Sequence, residues 1–288
     1  MKPLKRTIAL VGGASRGGAR GIALALGDAG ATVYVAARSS RKGPKPADKA
    51  PGTVEDTADE VTARGGLGIA VRVDLSDAEQ VAALFRRIEK EHGQLDVLAN
   101  SAWGAHCMPV WNKPFWELNL TLWRETVETM STYWLASVHA AKMMTKHRRG
   151  LIVHVTDNLP SDPSANRGQI LHDLGHEFIN RLVVDLSRGA RKSKIAVVGL
   201  NPGFMRTERV LMHMKTEALK KQFRFDLSES PEYLGRAVVA LATDRNVIRK
   251  SGELLWVPDL AKEYGFTDTV GRYIPRFDPN APMQAFPC

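Results

Sequence analysis

The stretch Thr7–Val11 is a short apolar run that leads straight into Gly12-Gly13-Ala14-Ser15-Arg16-Gly17-Gly18-Ala19, and a helical pattern opens near Arg20. Few backbones satisfy that order of residues. A strand, a turn of small residues and then a helix point backbone N–H groups and the positive end of a helix dipole at one place. A pyrophosphate fits there, because nothing larger than a methyl group keeps the backbone away from it. Glycines also serve tight strand–helix packing, so the strand before the turn and the helix after it carry the weight of a dinucleotide reading.

The rest of the chain repeats this alternation. The runs Thr7–Val11, Ala31–Ala36, Gly68–Val73, Leu95–Ala99, Leu151–Val155, Ile195–Leu200 and Glu253–Val257 are short and mostly rich in Val, Ile, Leu and Ala, as strands buried on both faces are. Helical patterns lie between them: in Ala78–Glu91, residues Val81, Leu84, Phe85 and Ile88 fall three or four apart on one face. Seven strands alternating with helices predict an α/β fold, a single Rossmann-type doubly wound parallel sheet with helices on both faces, spanning 1–288 as one domain. Two segments break the rhythm. Ser39–Gly52, rich in Pro, Lys and Arg, reads as an exposed loop, after which Thr53 caps a helix with Asp56 reaching back. Asn158–Arg167, with Pro160 and Pro163, follows a strand and so falls at the end of the sheet where ligands bind.

The longest stretch without a charged residue, Val97–Asn112, contains Asn100, Gly104 and Pro109, so no membrane partner is expected. Lys2, Lys5 and Arg6 precede an apolar run that is too short for a secretion signal and reads as the first strand. Two cysteines, Cys107 and Cys288, make no disulfide framework, which suits a reducing cytoplasm. The net charge of +9 is scattered, without aromatic interleaving, so a site for an anionic small molecule accounts for it and nucleic acid is not expected. The second strand ends at Arg38 and Ser39, where an acidic residue would be needed to hold a ribose 2′-hydroxyl. Arg38 and Ser39, with Arg16 from the glycine turn, suit a 2′-phosphate, and the expected cofactor is NADP(H), not NAD.

Val11-Gly12-Gly13-Ala14-Ser15-Arg16-Gly17 resembles the cofactor signature of the short-chain dehydrogenase/reductase family. Val73-Asp74-Leu75 is similar to that family's Asp-hydrophobic pair at the adenine, Asn100-Ser101-Ala102 to its Asn-Asn-Ala-Gly turn, and Asn201-Pro202-Gly203-Phe204 with Thr207 to its nicotinamide-supporting Pro-Gly motif. The resemblance covers nearly the whole chain. It includes the subgroup around dehydrogenase/reductase SDR family member 1, through Arg20-Gly21-Ile22-Ala23-Leu24 and Pro114-Phe115-Trp116-Glu117. It implies cofactor contacts at Gly13, Ser15, Arg16, Gly17, Gly18, Arg38, Ser39, Asp74, Leu75, Asn100, Ser101, Ala102, His172, Pro202, Gly203 and Thr207. Three positions depart from the pattern: Gly12 replaces Thr, Ala19 the last Gly, and Trp103 the Gly of the turn motif.

The catalytic positions depart further. The family's Ser, Tyr and Lys hold and protonate a carbonyl oxygen, yet no Tyr lies between Tyr133 and Tyr233. Aligned on the fifth strand, Asp157 falls at the Ser position, Gly168 at the Tyr, His172 at the Lys and Met130 at the family's Asn. Asp157 orienting His172 would make an acid/base pair near neutrality; alternatively His172 only holds the ribose and Asp157 is a turn residue. His176 and Asp173 are secondary candidates.

On the substrate side Trp103, Trp111 and His176 are expected to meet an apolar or aromatic small molecule. Trp123 and Trp134 read as core or subunit-interface residues, and a homo-oligomer, dimer or tetramer, is expected. Residues 208–228 read as a helical lid, and 258–288 as a C-terminal extension over the site or a neighbouring subunit. The expected activity is hydride transfer to a C=O, C=N or activated C=C through a non-standard site, without a metal; the alternative is an NADP-binding pseudoenzyme or a non-redox catalyst.

Overall fold

A computed structural model describes residues 2–43, 49–103, 113–157, 170–269 and 271–276. Trp111, Gly168, the stretch 158–167 and the tail beyond 276 lie outside the described residues. Among those described, β1 (Ile8–Gly12), β2 (Thr32–Ala37), β3 (Leu67–Arg72), β4 (Val97–Asn100), β5 (Gly150–Val155), β6 (Ile195–Asn201) and β7 (Leu254–Trp256) form one parallel sheet in the order β3-β2-β1-β4-β5-β6-β7. The helices are α1 (Gly17–Asp28), α2 (Val54–Ala63), α3 (Ala78–His92), α4 (Leu120–His147), α5 (Ile170–Ala190), α6 (Glu208–His213), α7 (Glu217–Gln222), α8 (Pro231–Thr243) and α9 (Val257–Tyr264).

The strands are apolar throughout because both faces are covered. In β1, Ala9 and Val11 join the layer of α1, α2, α8 and α9, whereas Ile8 and Leu10 join that of α3 and α4. The predicted helical face Val81, Leu84, Phe85 and Ile88 is the buried face of α3. The Thr53 cap forms as expected, its hydroxyl accepting from the Asp56 amide at 3.1 Å and donating to the Asp56 carboxylate at 2.6 Å. No described helix is long and apolar enough to cross a membrane.

Strand order reverses between β1 and β4, so a crevice opens beyond their carboxyl ends. The segment 208–228 is α6, α7 and a short turn at Phe225–Leu227, and the extension expected from Pro258 begins as α9, anchored by buried Val257, Leu260 and Ala261. Pro258 fits because the first turn of a helix needs no amide donor there. Trp123 and Trp134 are about half exposed, at 48% and 50%, which removes the core reading for both.

Candidate active site

The turn after β1 is pressed against the turn after β4. Gly13 has φ of +83°, and a Cβ on it would sit 2.7 Å from the Ala102 Cα and 2.9 Å from its nitrogen, so only glycine fits. The Ser101 amide donates to the Gly12 carbonyl at 3.2 Å and closes the two turns on each other. A Cβ at Gly12 would meet the Leu75 side chain at 3.0 Å and the Asn100 amide oxygen at 3.3 Å, a tight fit. Ser15 is buried beneath the turn, and Gly18 packs under Met205 and Leu234.

Helix α1 starts without a side-chain cap from Arg16. The Gly17 N–H donates instead to the Glu208 carboxylate at 2.7 Å, from the first residue of α6, and Arg20 stands 3.7 Å from the same carboxylate. Thr207, just before it, lies within 3.7 Å of where a Gly17 Cβ would be, and its hydroxyl caps α6 by accepting from the Val210 amide.

The Arg16 guanidinium turns toward the end of β2. It donates to the Ser39 hydroxyl at 3.0 Å, the Gly52 carbonyl at 2.9 Å and the Pro51 carbonyl at 3.1 Å, while Arg38 is exposed beside it. Ser39 accepts from Arg16, and a cation is thereby held at the tip of the second strand. Asp74 is fixed by the Ser76 amide at 3.0 Å and hydroxyl at 2.7 Å, and Leu75 is buried beside it. Beyond β6, the Gly203 amide donates to the Asn201 side chain at 3.3 Å, and Gly203 takes φ of +94° after Pro202.

Beneath the crevice lies a polar chain that the sequence analysis did not single out. Asn100 and His154 are register partners on β4 and β5, and the Asn100 amide nitrogen is 3.3 Å from His154 Nδ1. Nδ1 must therefore accept, so Nε2 carries the proton toward the Ser137 hydroxyl at 3.3 Å, and Ser137 donates onward to the Tyr133 carbonyl at 2.6 Å. Burial pushes the imidazole down to about 3, so it stays neutral. A lone His amid Val153 and Val155 was the available signal.

Beyond β5 the imidazoles are arranged differently from the expected pair. The Asp157 amide donates to His176 Nδ1 at 2.9 Å, and the Thr156 hydroxyl lies 3.4 Å from the same nitrogen while donating to Asn180 at 2.7 Å. His172 does not reach Asp157: its Nδ1 is 3.4 Å from the neighbouring Asp173 carboxylate. The reason is helical phase. With α5 beginning at Ile170, position 176 rather than 172 stands over the end of β5.

Trp103 joins the two histidines, stacked on His176 with ring centres 4.2 Å apart and a 14° interplanar angle, and edge-on to His172 at 5.5 Å. A Cβ at Gly175 would be 2.8 Å from the Trp103 ring, so the missing side chain on α5 makes room for the indole. The site thus offers a glycine cradle, a cation at the second strand and an aromatic-imidazole cluster on the same edge of the sheet.

A model of the family described as short chain dehydrogenase matches residues 7–218. This chain belongs to the short-chain dehydrogenase/reductase family. It is 36% identical over 283 residues to dehydrogenase/reductase SDR family member 1 of Mus musculus, covering 94% of this chain and 85% of that one. It is 28% identical over 228 residues to the NADPH-dependent reductase BacG of Bacillus subtilis, covering 76% and 80%. A solved short chain dehydrogenase from Mycobacterium thermoresistibile shares the fold, with a TM-score of 0.79 at 20% identity over 98% of this chain and 96% of its own. As a member of this family the chain is an oxidoreductase by kinship.

Proposed function

We propose that the protein is an NADP(H)-dependent reductase that delivers hydride to a polarised C=O, C=N or activated C=C of an apolar or aromatic small molecule. The observation that carries this reading is the His176 imidazole. Its Nδ1 accepts from the Asp157 amide, a donor that cannot become an acceptor, so the proton sits on Nε2 and the ring is a neutral hydrogen-bond donor. That donor stands in for the missing Tyr, polarising the accepting group, with Trp103 as its stacking support and as an apolar wall for substrate. Asp157 acts through its main chain, and His172 holds the cofactor ribose or the rim of the substrate pocket.

Gly13, Ser15, Gly17, Gly18 and Thr207 would hold the pyrophosphate; Asp74, Leu75, Asn100, Ser101 and Ala102 the adenosine side; and Pro202 with Gly203 the nicotinamide. A bound nicotinamide would supply the hydride. The extra phosphate is assigned to Arg16, Arg38 and Ser39, on the strength of the Arg16–Ser39 contact and of the likeness to BacG, which is named an NADPH-dependent reductase. Trp103, filling space where the family pattern has Gly, supports the rival of a binding-only protein.

Three measurements decide. 2′,5′-ADP should displace NADPH while 5′-AMP does so poorly, and equal competition removes the phosphate assignment. Stereospecifically deuterated NADPH should pass its label to a ketone, cyclic imine or enone; firm binding with no transfer favours the rival. His176→Ala should lower kcat by about a hundredfold with NADPH affinity unchanged, and more than His172→Ala does. We assign the exposed face of α4 and α5, with Trp123, Trp134, Leu174 and Ile170, to a second copy of the chain in the cytoplasm. Sedimentation of Trp134→Glu as a smaller species than the parent would check it.

A further inference from the structure

The geometry points to Glu208 as an internal competitor of the cofactor, a latch whose carboxylate occupies the anion position at the start of α1 and ties the lid to the glycine turn. This rests on the dinucleotide reading above. Three observations meet at the residue. The first amide of α1, from Gly17, has no cap from its own turn, since the Arg16 side chain is engaged with Ser39, Pro51 and Gly52. Glu208 supplies the missing acceptor from 191 residues away at 2.7 Å. Arg20 faces the same carboxylate at 3.7 Å, so the acid meets a backbone donor and a guanidinium together, the pair of groups a phosphate would take.

The lid is built so that this contact can open without loosening its base. Below Thr207, the Arg206 amide donates to the Glu229 carbonyl at 2.8 Å and the Glu229 amide to the Phe204 carbonyl at 2.8 Å. The Arg206 guanidinium bonds the Ser228 carbonyl and pairs with the fully buried Asp268 at 2.9 Å. Glu208 is the second residue beyond that clamp, at the head of α6, and among the described residues it is the side chain that meets the Gly17 amide. A dinucleotide phosphate arriving at Gly17 and Arg20 must displace the carboxylate, by direct exclusion and by like charge. The lid then swings free at its N-terminal end, and the affinity measured for the cofactor is the intrinsic one reduced by the fraction of molecules latched.

The test is calorimetry of NADPH with the full chain and with Glu208→Gln and Glu208→Asp, the first removing the charge and the second withdrawing it by one methylene. Hydrogen–deuterium exchange of residues 208–213 is followed in parallel, with inorganic pyrophosphate as a second probe. Both variants should bind NADPH about three- to tenfold more tightly than the parent. Exchange in α6 should rise when NADPH or pyrophosphate is added to the parent, and should already be high in the variants. If the parent binds NADPH and both variants bind it equally or more weakly, the latch is overturned while the dinucleotide reading stands. If no form binds either nicotinamide dinucleotide, the reading falls and the latch with it.

Discussion

The turn after β1 and the first turns of α5 sit on the same edge of the sheet and are made of opposite materials. The first works by absence: Gly13 leaves no room above Ala102, and Gly17, without a side chain of its own, offers its amide to the Glu208 carboxylate. The second works by presence, with Trp103, His172 and His176 in mutual ring contact. Recognition of a phosphate by main-chain donors, as proposed here, asks for small residues along the turn, and Gly13 and Gly17 supply them. Polarising a substrate atom asks only for a donor at one point, the role proposed above for His176. The contrast yields a direct consequence. Gly13→Ala forces a side chain into a left-handed conformation and against the Ala102 backbone, and should cost about 3 kcal/mol of stability in urea denaturation and abolish measurable NADPH binding.

The side-chain corner should respond in a graded way. Gly175→Ala places a methyl group 2.8 Å from the Trp103 ring and should cost about 2 kcal/mol, whereas Trp103→Gly alone should cost a similar amount through the space it leaves. Because each change relieves the other, the double variant Trp103→Gly/Gly175→Ala should be more stable than the sum of the two losses by about 1 kcal/mol or more. Additive losses in thermal denaturation would show that indole and helix do not depend on each other.

The same contrast explains what could be read in advance. All seven strands were legible, to within a residue or two, because apolar runs bounded by Gly, Pro and charge can hardly be anything else between helices; Thr7–Val11 became Ile8–Gly12 and Ala31–Ala36 became Thr32–Ala37. The Thr53 cap and the α3 face were legible for the same local reason. What escaped was pairing across long separations. Asn100 with His154 requires the β4–β5 register, Gly17 with Glu208 requires the lid to fold back, and Trp103 with Gly175 requires the segment after β4 to lie against α5. His172 against His176 turned on a single helical turn, since periodicity fixes the spacing of a helix and leaves its phase over the sheet to the preceding connection.

His154 belongs to the buried part of the comparison and makes it sensitive to pH. Burial lowers its pKa to about 3, below the unfolded value near 6.5, so the unfolded chain takes up the proton first. Its neutral, hydrogen-bonded form therefore supports the fold fully above pH 6.5, and that support is lost as pH falls toward 3, at a slope of about 1.4 kcal/mol per pH unit at most. His154→Gln should lower stability at pH 7.5 and flatten the acid side of the urea-midpoint profile between pH 6.5 and 5. An unchanged acid limb would place the titrating group elsewhere.

The mildest change sharpens the cradle itself. Arg16 is the one residue of the glycine turn whose side chain, and not its backbone, is proposed to read the ligand, and it is already oriented by Ser39 and the Gly52 carbonyl. Removing it leaves every main-chain donor in place. Arg16→Ala should weaken NADPH by about tenfold, close to 1.4 kcal/mol, while NADH affinity stays within about twofold, because only the 2′-phosphate loses a partner. The two fluorescence titrations must be run at one ionic strength, since an exposed guanidinium's share shrinks with salt. A parallel loss for both dinucleotides would mean that Arg16 shapes the turn through Pro51 and Gly52 rather than choosing the cofactor, and selectivity would then rest on Arg38.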